Sequence, residues 1–168
     1  MRSLPVLLAA TLALAPIAYA QKESPTAQPE GQRLLLSLTA KGVQIYACKQ
    51  VDANPQWVFQ APEATLFNEK GEKVGAHVAG PVWKYRDGSQ VKGETVATSP
   101  APVPDSIPWL LIHAVNSQGS GLMSRVDSIR RTGTHGGIAP ATGCDAQHLN
   151  TTVRVPYTAT YNFYSTQP

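Results

Sequence analysis

Apolar and polar positions along this chain alternate in short runs, and turn residues cut those runs roughly every eight to twelve positions, the spacing of a sandwich or barrel. Outside the N-terminal apolar segment no long stretch has a helical period. The clearest alternation is near the C-terminus. Val153, Val155, Tyr157, Ala159, Tyr161 and Phe163 share one face of a strand over residues 151–164, and Thr152, Arg154, Thr158, Thr160 and Asn162 the other. Pro156 interrupts this run, which calls for a bulge or an edge position there.

Upstream, residues 34–39 and 43–49 read as two strands parted by Lys41 and Gly42, although residues 34–40 would also suit a short helix. A third strand over residues 57–61 is stopped by Pro62, and residues 65–67 lead through a turn at Asn68 to Gly71 into Val74 and Ala76. Residues 74–93 concentrate the most information. Within them Val82 to Tyr85 forms a strand, Arg86-Asp87-Gly88-Ser89 a hairpin turn, and residues 90–96 the returning strand. Four prolines make residues 99–108 an extended connector. The near-continuous apolar run 107–115 predicts a strand covered on both faces, residues 122–130 a further strand, and residues 132–150 a long loop carrying His135-Gly136-Gly137. The expected fold is all-β, a single-domain β-sandwich or closed β-barrel.

The first residues change the picture of where this domain works. Arg2, an apolar run through residues 4–15 and the small residues of Ala18-Tyr19-Ala20 are the three parts of a secretory signal, with cleavage expected after Ala20. The run is too short to span a bilayer, so the mature chain is expected to be periplasmic or secreted with no membrane span. Residues 21–32 form a polar, flexible leader, and the domain occupies residues 33–168. Arg2 is the one cation of the signal, so 14 Lys and Arg become 13 against 11 acids, an excess too small and scattered for a nucleic-acid partner. The chain's two cysteines, Cys48 and Cys144, both lie in the exported part, where a single disulfide is the expected state.

The phrases G-V-Q-I-Y-A-C, W-V-F-Q-A-P-E-A-T-L, V-G-A-H-V-A-G-P-V-W, D-G-S-Q-V-K-G, I-P-W-L-L, T-G-T-H-G-G-I-A-P, G-C-D and V-P-Y-T-A-T-Y-N-F-Y, in this order over residues 42–164, resemble an uncharacterised family of exported bacterial and fungal proteins, the domain-of-unknown-function family 3455. The resemblance implies an exported single domain, pairing of Cys48 with Cys144, and family positions for His77, Trp83, Asp87, Trp109 and Gly136. It implies no reaction.

Candidate chemistry starts at His77, which with Asp87 and His135 would make a general acid-base set or, through His77 and His135, a partial metal site. Neither H-x-H, H-E-x-x-H nor G-x-S-x-G occurs, and isolated His113 and His148 are weaker candidates. Trp83, Tyr85 and Arg86 supply the other possibility, an aromatic surface for a small molecule or carbohydrate. The expectation is therefore a ligand-binding or envelope-associated module, with a small exported hydrolase or metal-dependent enzyme on His77, Asp87 and His135 as the alternative. Enzymatic activity, cofactor and oligomeric state are left open. Residues 74–93 and residues 132–144 are expected to meet in space, which puts His77 beside the Gly-rich loop that carries His135.

Overall fold

The computed structural model describes residues 24–167; the expected signal over residues 1–20 and its cleavage point lie outside the described residues. Eight antiparallel strands follow one another around a closed barrel: β1 (Arg33–Val51), β2 (Asn54–Phe67), β3 (Lys73–Val78), β4 (Val82–Tyr85), β5 (Gln90–Ser99), β6 (Trp109–Gln118), β7 (Ser128–Gly136) and β8 (Thr152–Ser165). β8 closes the ring by pairing with β1 over almost its whole length. Of the two expected architectures, the sequence adopts the barrel. Closure gives every strand two neighbours and removes the sheet edges that an open sandwich would have to protect.

Because the strands run up and down in order, the β1–β2, β3–β4, β5–β6 and β7–β8 connections lie at one end of the barrel, called here the upper end. The other three connections and the chain termini lie at the lower end. The interior is filled from both the C-terminal strand and its neighbours: Tyr157, Ala159, Tyr161 and Phe163 face inward, as their alternation predicts, together with Leu38, Ala40, Leu66, Trp83, Val91, Ile112 and Ile129. Lys41, Glu63, Lys84, Lys92 and Glu94 are exposed on the outside. An apolar interior beneath a charged exterior is the inverse of a transmembrane barrel, whose apolar band faces lipid. Among the described residues no helix is long and apolar enough to cross a membrane.

Several boundaries differ from the sequence expectation, each because pairing on two sides outweighs a local breaker. Lys41 and Gly42 do not separate two strands; they pair with Thr65 and Ala64 on β2 and with Thr158 and Tyr157 on β8, inside one long strand. Pro62 does not stop β2 but sits within it, opposite Gln44. The run through Trp109 is covered on one face, since His113 and Val115 are exposed. Residues 122–130 split into a 3₁₀ turn (Leu122–Arg125) and the start of β7, which extends to Gly136 and shortens the expected loop. The β7 ladder ends at the Gly136–Tyr157 pair, leaving Pro156 at an effective edge on that side.

The leader is anchored over its described part: Thr26 is fully buried, its hydroxyl bonds Ser99 Oγ at 3.2 Å, and its carbonyl accepts Arg130 Nε at 2.7 Å. Cys48 and Cys144 form a disulfide with Cα atoms 5.3 Å apart, which ties the β7–β8 loop to the upper end of β1. The same loop is held by Tyr46 Oη donating to the Gly137 carbonyl at 2.7 Å and by Trp57 Nε1 donating to the Thr142 carbonyl at 2.9 Å.

Candidate functional site

Register carries the candidate site. Gly42 pairs with Ala64, Ala64 with His77, His77 with Trp83 and Trp83 with Val91, so one level of the barrel alternates small side chains with large rings. His77 and Trp83, directly opposite on β3 and β4, stack with centroids 4.2 Å apart and planes 8° from parallel. Tyr161 crosses the interior from β8 and meets both rings edge-on, at 5.2 Å from His77 and 5.5 Å from Trp83. The Trp83 ring has its space because β5 carries Gly93 alongside it: a Cβ there would lie 2.4 Å from Ile112 Cγ2 and 3.3 Å from Trp83 Cζ3.

Against these rings lies a cavity of about 240 Å³, whose walls also include Gln44, Leu110, Ile112 and Arg131, with Phe59, Gln60, Gly80, Pro81 and Thr95 on its exposed side. An apolar cavity of about 150 Å³ is large enough for benzene, so this one has room for a ring with substituents. Its wall is only partly satisfied. Gln44 Nε2, Trp83 Nε1 and Tyr161 Oη are buried without a hydrogen-bond partner, as is Tyr157 Oη nearby. The two tyrosine hydroxyls lie close enough to perturb each other, Gln44 and Arg131, but none of these approaches has the geometry of a hydrogen bond. Each such group costs about 1–3 kcal/mol in an otherwise dry core.

The chemistry of His77 follows from its position. Its Nδ1 lies 3.1 Å from the Val82 carbonyl, which only accepts, so Nδ1 carries the proton and Nε2 is a bare acceptor. Burial pushes its pKa from 6.5 down to about 3, the Val82 bond opposes this, and the Arg131 guanidinium adds to the lowering. The imidazole is therefore neutral at neutral pH. Burial raises Tyr157 and Tyr161, so both stay protonated. The interior thus offers ring faces, neutral donors and acceptors, and one cation, Arg131.

The expected acid-base set is not assembled. Asp87 lies in the β4–β5 turn at the lower end, whereas the β3–β4 turn beside His77 is at the upper end. His135 is exposed on the outer face of β7, opposite Thr158, while His77 points into the barrel. Nor does the β7–β8 loop sit beside His77: it packs on β1 and β2 through Tyr46, Trp57 and Cys48. No group of three His, Cys, Asp or Glu that could hold a metal occurs among the described residues. His113 is exposed on β6, and His148 bonds Asp145 at the surface. The aromatic surface dissolves in a similar way, since Trp83 is buried, Tyr85 packs on the core, and Arg86 reaches out to within 3.9 Å of Glu72. Of the six candidate residues, only His77 and Trp83 line the cavity.

Asp87 has a structural task instead. Its Oδ1 accepts from the Ser89 N–H at 2.9 Å and from the Ser89 hydroxyl, and its Oδ2 accepts the Leu122 N–H at 2.7 Å. Ser89 Oγ then takes the Met123 N–H at 3.0 Å, so the pair latches the 3₁₀ turn that covers the lower end. Gly121 permits the approach: a Cβ there would lie 2.3 Å from the Asp87 carboxylate. Replacing Asp87 by Ala should destabilise the domain by about 1–2 kcal/mol, the scale of a lost capping carboxylate. Urea denaturation checks the loss, and an unchanged midpoint would remove the latch from the account.

The family follows from the chain as a whole. The model of the family described as "Protein of unknown function (DUF3455)" matches residues 29–165, which takes in all eight strands of the barrel. The chain belongs to this family. No curated protein and no solved structure matches it. In this DUF3455 member the cavity-wall residues that the sequence did not point to are Arg131, Gln44 and Ile112. Tyr161 was visible in the β8 alternation as a core residue. Arg131 was hidden because Arg130 and Arg131 are adjacent, and only the register of Arg131 with Tyr161 and Leu110 tells which of them turns inward.

Proposed function

We propose that this DUF3455 member is an exported binding protein that holds a small molecule inside its barrel, between the His77, Trp83 and Tyr161 rings and the Leu110 and Ile112 wall. The observation that carries this reading is a cavity of about 240 Å³ inside the strand ring, bordered by buried polar groups that have no protein partner. Such groups are costly when left open, and a ligand that completes them recovers that cost on binding. The size favours a one-ring molecule over a saccharide chain. An aromatic platform for sugars, in turn, lacks support because Trp83 and Tyr85 are packed inward. Export, with the signal removed after Ala20, belongs to the same proposal and rests on the pattern of residues 1–20.

Nitrogen-15 spectra offer a direct test. The chain has three Trp, and a Trp83→Phe variant assigns the Trp83 indole resonance. One-ring compounds from a fragment library should shift this resonance in a saturable way, and an Ile112→Phe substitution that fills the cavity should abolish the shift. A Trp83 indole that no fragment moves would leave the cavity as a packing defect and sink the reading.

A further inference from the structure

Arg131 presents an imbalance that the fold does not require. It projects from β7 into the wall of the cavity, yet none of the lining residues is Asp or Glu. The ion pairs among the described residues join Arg86 with Glu72, His148 with Asp145 and Arg154 with Glu63, all at the surface, and Arg131 takes part in none of them. Its side chain is largely withdrawn from solvent, and the titratable groups around it, His77, Tyr46, Tyr157 and Tyr161, are all neutral. A cation in such a setting normally has a counter-charge, because desolvation without one is expensive.

Its geometry is fixed as well. Nε and one terminal nitrogen both donate to the Pro108 carbonyl, at 3.1 and 2.9 Å, which anchors the guanidinium to the proline-rich connector at the upper end. Those bonds use two of the five N–H groups of the fork and leave three for the cavity. A guanidinium held this way loses little side-chain freedom when an anion arrives, and a carboxylate matches its planar donors. We propose that the ligand of this barrel is a small organic monoanion whose carboxylate pairs with Arg131 while its apolar body lies against Trp83, Leu110 and Ile112. This rests on the small-molecule reading and narrows it to one charge type. A single cation in a mostly apolar pocket balances one negative charge, which sets a monoanion above a phosphate dianion.

Benzoate and benzyl alcohol make the test, since they have nearly the same shape and differ in charge. Both are titrated into the signal-free chain, wild type and Arg131→Gln, with the Trp83 indole and Arg131 guanidinium resonances as readouts. Wild type should bind benzoate at least about tenfold more tightly than benzyl alcohol, the scale of one charge-assisted hydrogen-bonded pair. Arg131→Gln should erase that preference and leave benzyl alcohol affinity within about twofold, and Arg131→Lys should restore part of it. Should Arg131→Gln fail to fold, the wild-type preference decides the matter alone. Equal binding of the two probes by wild type would overturn the anion proposal and keep the cavity as a neutral-ligand site. Loss of both affinities together in a folded Arg131→Gln variant would reduce Arg131 to an anchor for Pro108, and no binding of either probe would remove both readings.

Discussion

Acidification from pH 6.5 to pH 4 is expected to destabilise the barrel by about 3 kcal/mol through His77 alone. The folded-state pKa of this residue is lowered from 6.5 to about 3, so between those values the unfolded chain binds a proton that the folded chain does not. The neutral-imidazole contribution is fully present above pH 6.5 and is lost as pH falls toward 3, at about 1.4 kcal/mol per unit. The physical cause is burial: an imidazolium stacked on Trp83 and facing Arg131 has neither water nor a carboxylate to compensate it. Carboxylates act in a different window. The Ser89 hydroxyl lowers Asp87, the Thr166 N–H lowers Asp127 and His148 lowers Asp145, so their contributions are kept above about 3.8 and lost below it. Urea denaturation of wild type and His77→Gln at several pH values between 6.5 and 4 separates these effects. The variant starts from lower stability because the ring stack is gone, but its slope over this range should be flatter. Parallel slopes would mean that His77 takes up its proton in the folded state and is not sealed as described.

Removal of the disulfide should cost more still. Cys48 and Cys144 are 96 residues apart in sequence, and releasing a loop of that size frees the unfolded chain by about 4–5 kcal/mol in the chain-entropy model. A Cys48→Ala, Cys144→Ala variant should therefore melt roughly 10–15 °C lower than wild type. The ring cluster should persist, because His77, Trp83 and Tyr161 stand on β3, β4 and β8, and the staple joins β1 to the β7–β8 loop. Thermal denaturation followed by circular dichroism gives the first quantity and the Trp83 indole resonance the second. A melting temperature within a few degrees of wild type would show that Tyr46, Trp57 and the barrel ladder hold the loop without help. A displaced Trp83 resonance in the folded variant would show that the staple also shapes the cavity.

Local chemistry made much of the architecture readable. The alternation from Tyr157 to Phe163 assigns the inner face of β8 correctly because a half-buried strand needs only a period of two. The turn at Arg86 to Ser89 was readable because Gly88 supplies a positive φ, and the Asp87 side chain bonds the Ser89 N–H as a turn aspartate does. Local breakers misled where long-range pairing outweighed them, at Gly42 and Pro62, since a residue paired on both sides gains more from the ladder than it loses in propensity. The candidate site was less legible. His77 and Trp83 were singled out separately, one as a candidate base and the other as an aromatic contact, and their pairing across the β3–β4 hairpin emerges only from the strand register.

Short-range periodicity, turn chemistry and cysteine count were enough for the strand content, for the hairpin that turns at Arg86 to Ser89 and for the availability of one disulfide. Which end of the barrel each polar residue occupies is set by closure of the ring. Closure sends Asp87 to the lower end and His135 to the outer face, and brings Arg131 and Tyr161 from the last two strands onto the His77–Trp83 stack. The reason is geometric: a one-residue change in register turns a strand's side chains to its other face, and the register of β8 against both β1 and β7 is fixed only when the ring closes.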